Sequence, residues 1–146
     1  MAFRFPLAAV LKYREDLEKR EERELEKRRE ALARLKTALT NTTNSRFQLI
    51  LERASLLKQG LLGDDLHFAA EQLRQIERLE EDLRTQVGTA AAHYEEQMKV
   101  FLEARKKRTI LDELKSAQAS SYKVNQERRE QQQIDEMFSA RLNRNK

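Results

Sequence analysis

Few side chains in this chain could hold a metal, activate water or cradle phosphate, and their spacing argues against each of those chemistries. Histidine occurs at His67 and His93, too many helical turns apart on one segment to share an ion. Asp64, Asp65 and His67 would meet a metal only if the chain curled inward there, whereas aspartates that cap a helix explain the same residues at no cost. Gly60-Leu61-Leu62-Gly63 lacks the lysine and the spacing of a phosphate loop, so it reads as a turn. Glutamates paired at i,i+4 are solvated faces, with no buried setting to raise a carboxylate pKa. Cysteine is absent, which removes disulfides and thiolate metal sites and suits a reducing compartment such as a bacterial cytoplasm. No catalytic residue, cofactor or metal is expected, and the protein is not expected to be an enzyme.

The strongest basic cluster is Arg105-Lys106-Lys107-Arg108, which with Arg128, Arg129, Arg141, Arg144 and Lys146 suggests a surface for nucleic acid or anionic lipid. Four consecutive helical residues spread around all sides, however, and no aromatic is interleaved to stack on bases. The formal charge of +4 is the balance of 29 basic and 25 acidic side chains that alternate along the chain. Pairs such as Glu15 with Lys19, Glu24 with Arg28 and Glu30 with Arg34 sit at i,i+4 spacing and neutralise one another locally. A zwitterionic surface follows, and nucleic acid is not an expected partner.

The elements that must carry these residues are helices. One proline and three glycines leave few places to break a helix, and charged residues at 37% are dominated by Glu, Lys and Arg, which favour helices and avoid interiors. Leu11, Leu25, Leu32 and Leu39 repeat in one heptad phase, with Leu7, Leu35, Leu49 and Leu56 in the companion phase. Leu73, Val87, Tyr94 and Phe101 share a phase further on, with Ile76, Leu83, Ala90, Ala104 and Leu111 in the other. Polar residues interrupt both seams: Glu18, Glu21, Arg46 and Arg53 in the first, Glu80, Gln97 and Arg108 in the second. These interruptions predict a slipping register, and the charged Lys12 to Glu30 stretch predicts a looser end away from the turn. The small residues around Gly88 suggest close approach of a partner or a slight bend.

The expected fold is all-α: two long helices forming an antiparallel coiled-coil hairpin, the second helix longer and overhanging at the C-terminus. It forms one coiled-coil domain over residues 1–146, with helix 1 over about 5–59, a turn over about 60–65 and helix 2 over about 66–142. Pro6 marks the first start, where a missing amide costs nothing. The N-terminal apolar run, Leu7 to Leu11, is too short for a secretory signal, and no stretch reaches the 18 or so apolar residues of a membrane span. Residues beyond about Tyr122 outrun helix 1 and have no partner within the hairpin. Phe3, Phe5, Phe47, Phe68, Tyr122 and Phe138 are therefore aromatics that a partner is expected to cover at least in part.

The two ends, FRFPLAAVLKYRE at Phe3 to Glu15 and QQIDEMFSARLNR at Gln132 to Arg144, resemble the start and finish of the FliJ family, a small coiled-coil component of bacterial flagellar protein export. The central LEEDL, Tyr94 and ARKKR fit the family's second helix as well. The resemblance implies a non-enzymatic stalk, similar to the shaft subunit of rotary ATP synthases, inserted in the flagellar export ATPase ring. It also implies contact with the export gate protein FlhA and with export chaperones, in flagellum biogenesis, motility and chemotaxis. The location implied is cytoplasmic, at the inner face of the inner membrane at the flagellar base, with membrane contact only through the export apparatus. The ring-facing residues would be Phe5, Leu7, Val10, Leu11, Ile134, Met137 and Phe138. Val10 and Leu11 continue an apolar stripe where the seam lacks strong partners, and Ile134, Met137 and Phe138 form an i, i+3, i+4 stripe that the hairpin cannot cover. Two alternatives remain: the equivalent stalk of a virulence-type secretion ATPase, and a basic coiled coil that binds nucleic acid.

Overall fold

In the computed structural model, which describes residues 2–60 and 63–145, two helices account for nearly all of the chain. Helix α1 is Ala8–Lys58 and helix α2 is Gly63–Arg144, 51 and 82 residues long, with no strand among the described residues. The fold is the all-α antiparallel hairpin that the heptads imply, with the second helix the longer. Pro6 and Leu7 form a turn that leads into α1, closed by Ala8 N–H donating to Phe5 C=O at 3.1 Å. At the other end the amides of Gln59 and Gly60 donate to Leu56 and Leu57, and Gly60 takes the left-handed φ of 74° that ends a helix.

Two boundaries differ from expectation. Helix α1 starts at Ala8 rather than near Phe5, and α2 starts at Gly63, ahead of the aspartates. Asp64 and Asp65 thus lie inside the first turn, where their charge meets the free amides and the positive end of the helix dipole. Arg141 and Arg144 complement the opposite end. Of the predicted turn, Leu61 and Leu62 lie outside the described residues.

The chain forms two compact units: a terminal unit, Met1–Arg20 with Leu102–Lys146, and a middle unit, Glu21–Phe101. In the middle unit the covered residues of α1 follow the heptad without a break from Glu21 to Leu56, facing those of α2 from Leu66 to Phe101. The expected slip does not occur. Two pairs of polar interruptions, Glu21 with Gln97 and Arg46 with Glu80, are complements on facing helices, whereas Arg53 makes no ion pair or hydrogen bond among the described residues. Arg46 Nε lies 2.8 Å from Glu80 Oε2, an ion pair lacking good hydrogen-bond angles, and Arg84 pairs with the other oxygen of Glu80. Gln97 donates to the Glu21 carboxylate at 2.6 Å and to its backbone carbonyl at 3.2 Å. Arg28 donates to the His93 carbonyl at 3.1 Å and pairs with Glu24, as Arg34 does with Glu30. A polar residue in a seam costs little when the facing position supplies its partner and a great deal when it does not. Shifting either helix by one heptad would set Arg46 against Leu73 or Val87, so these pairs hold the register. A Cβ added at Gly88 would meet nothing within 4 Å, so no close approach requires the glycine.

The terminal unit repeats the device and adds a second one. Arg108 donates through Nε to Glu18 at 2.5 Å, through a second nitrogen to the same carboxylate at 3.2 Å, and to Asp112 at 2.6 Å. Ahead of α1, residues 2–5 are non-helical, and here Phe5 is buried and the Phe3 ring meets Tyr122 with centroids 5.7 Å apart. Phe5, Leu11 and Ala104 are three of the buried apolar residues among those described, and all three lie in this unit.

Candidate interaction surfaces

Beyond Tyr122 every described residue of α2 is largely exposed. Past it the seam positions are Asn125, Arg129, Gln132, Glu136, Ser139 and Asn143, none of which would sustain a coiled coil. Apolar side chains move to another face. Ile134 lies two residues beyond Gln132, about 200° around the helix, with Met137 and Phe138 beside it. Their exposures are 58%, 63% and 64%, and Leu142 one turn on is exposed too. This stripe points away from the direction in which α1 packs, so extending the hairpin would not cover it.

The seven residues predicted to face a ring separate into two groups. Leu7, Val10, Ile134, Met137 and Phe138 are exposed. Phe5 and Leu11 are 7% and 5% exposed, buried within the terminal unit, and offer no surface to another protein. Leu11 opens the heptad run of α1 and the arm of residues 2–5 supplies Phe5, a return of the chain that no local periodicity records. Tyr122 is also covered, by Phe3, and does not belong with the free aromatics of the overhang.

The middle unit exposes Phe47, Ile50, Leu51 and Phe68, with the Arg46 guanidinium stacked 5.0 Å from the Phe47 ring. Of the basic cluster, Arg108 turns inward, and its hydrogen bonds to Glu18 and Asp112 hold the guanidinium still more firmly protonated than usual. The three remaining cations diverge around α2, which leaves no concentrated basic face. Among the described residues no group of histidine and carboxylate side chains is arranged to hold a metal, and no helix is long and apolar enough to cross a membrane. Tyr13, Ile110 and Leu114 are exposed apolar residues absent from the sequence-based set. The spacing of four between Ile110 and Leu114 on α2 was the available signal, obscured by the stronger heptad beside it.

Two helices paired through a heptad seam, with apolar stripes left outside it, define an all-α helical hairpin. The family follows from residues 3–146, which match the model described as Flagellar FliJ protein, and the chain belongs to the FliJ family. Members of this family are non-catalytic components of the flagellar export apparatus. Neither the curated proteins nor the solved structures compared with the chain gave a match.

Proposed function

We propose that this protein is a stalk of the flagellar export ATPase, inserting its terminal unit into the ring and coupling it to the export gate. The observation that carries this reading is the stripe of Ile134, Met137 and Phe138 on the back of α2, past the end of the seam. Covering it would return roughly 25 cal/mol per Å² of apolar surface taken from water. Leu7 and Val10 add exposed apolar surface in the same unit, while Phe5 and Leu11 act from within by fixing the arm and the start of α1. Arg141 and Arg144 beside the stripe favour an acidic lining in the ring. The exposed Phe47, Leu51 and Phe68 of the middle unit offer a separate surface for the gate protein FlhA or for export chaperones. The protein works in the cytoplasm at the flagellar base, and touches the membrane only through the apparatus.

The test is binding to the purified export ATPase, read as complex formation and as stimulation of ATP hydrolysis. Deleting residues 130–146, or changing Ile134→Asp together with Phe138→Asp, is expected to abolish both while circular dichroism shows the remaining helix intact. Wild-type binding and stimulation by these variants would remove the stripe from the ring contact.

A further inference from the structure

Heptad positions that are polar at Ser45, Gln48, Glu52, Gln72 and Gln75 of the middle unit become mostly apolar at their equivalents in the terminal unit. In the middle unit, Ser45, Gln48 and Glu52 of α1 line a shallow groove together with Gln72 and Gln75 of α2, above Leu49 and Ile76. Stepping back five heptads on α1 converts the first three into Val10, Tyr13 and Leu17. Stepping forward five heptads on α2 converts the other two into Lys107 and Ile110, and a sixth step from Gln72 gives Leu114. The seam in the terminal unit keeps the heptad pairing, since Glu18 meets Arg108. Val10 and Tyr13 therefore stand level with Leu114 and Ile110 on one flank of that unit, and all four are exposed. The opposite flank carries Lys12, Glu15, Arg105 and Asp112.

We propose that this apolar flank receives an acidic amphipathic helix of a partner protein, laid alongside α1 and α2 as a third helix. Two parallel rows of apolar side chains with a seam between them present a groove that suits the ridge of a helix. Charge selects the occupant. Lys107 and Arg128 share the position of Leu114 and form no ion pair among the described residues, and Arg14 stands over the Tyr13 ring at 5.6 Å. No acidic side chain occupies the flank positions of α2 from Lys107 to Val124. A second copy of the chain would bring these cations against their own kind, whereas glutamates at the edges of an incoming helix would meet them. The inference goes beyond the ring contact. Val10 is common to both surfaces, but the variants act on Lys107, Ile110 and Leu114, which the ring contact does not use, so failure of one proposal leaves the other standing.

The probe is a fluorescein-labelled three-heptad peptide with leucine at its seam positions and glutamate at the flanking ones, titrated with the full chain and followed by anisotropy. Saturable binding is expected, weakened about tenfold or more by Ile110→Asp with Leu114→Asp. Lys107→Glu is expected to weaken it as well, with no apolar surface removed, and Lys12→Glu on the opposite flank to leave it unchanged. These sites are exposed, so all variants should keep wild-type helical content. Equal binding of the same peptide with lysine for glutamate, or wild-type affinity in the flank variants, would overturn the proposal. So would dimers in sedimentation that Ile110→Asp restores to monomers, or binding of anionic vesicles, with none of the peptide, that Ile110→Asp abolishes.

Discussion

Glu80 is 3% exposed and sits between Arg46 and Arg84, one from the facing helix and one from its own. Removing the carboxylate leaves two guanidinium groups with no anion between them, so Glu80→Ala should cost about 3 kcal/mol. Glu18→Ala should cost about 1 kcal/mol, because its pair with Arg108 is more open to water and Asp112 still holds the guanidinium. Replacing Glu80 and Arg46 together by leucine should restore or raise stability while removing the penalty on a slipped register. Urea unfolding followed by circular dichroism ranks all three, and equal losses for the two alanine variants would refute the distinction. Glu18, Glu21, Arg46, Glu80, Gln97 and Arg108 were visible in the sequence as seam positions, but not as partners. Glu18 and Arg108 are separated by 90 residues, and reading one helix at a time makes each look like a fault.

At the scale of the elements, Gly60 and Gly88 call for opposite outcomes. Gly60 has φ of 74° with open space around it, so Gly60→Ala should destabilise the hairpin by about 1 kcal/mol through backbone strain alone. Gly88 is helical and equally unobstructed, so Gly88→Ala should stabilise by about 1 kcal/mol. Thermal unfolding of the two variants should move the midpoint down and up respectively. The turn and both seams were legible because glycine placement and heptad phase are local properties. The arm of residues 2–5 was not: Phe3 and Phe5 precede the first helical residue, and what buries them is brought near only by the hairpin.

For the whole molecule, membership in the FliJ family assigns it to flagellar export, and the apolar residues outside the seam are the ones the proposed contacts would cover. The tail stripe was readable from the spacing of Ile134, Met137 and Phe138, while the flank became visible only once pairing had set which residues of α1 stand beside Ile110 and Leu114. The pairing has a further consequence for how the chain acquires its structure. Cross-helix bonds span 65 residues at Arg28, 76 at Gln97 and 90 at Arg108, so the chain enclosed by each contact lengthens steadily away from the turn. Closing the shortest segment first loses the least entropy, and every pair formed brings the next within reach. The hairpin should therefore close like a zipper from Gly60 outward, with the arm docking last. Leu83→Ala should chiefly slow folding and Leu11→Ala chiefly speed unfolding in stopped-flow chevrons, and the reverse pattern would mean that the terminal contacts form first. A chain that assembles in this order should complete its terminal unit last and open it first.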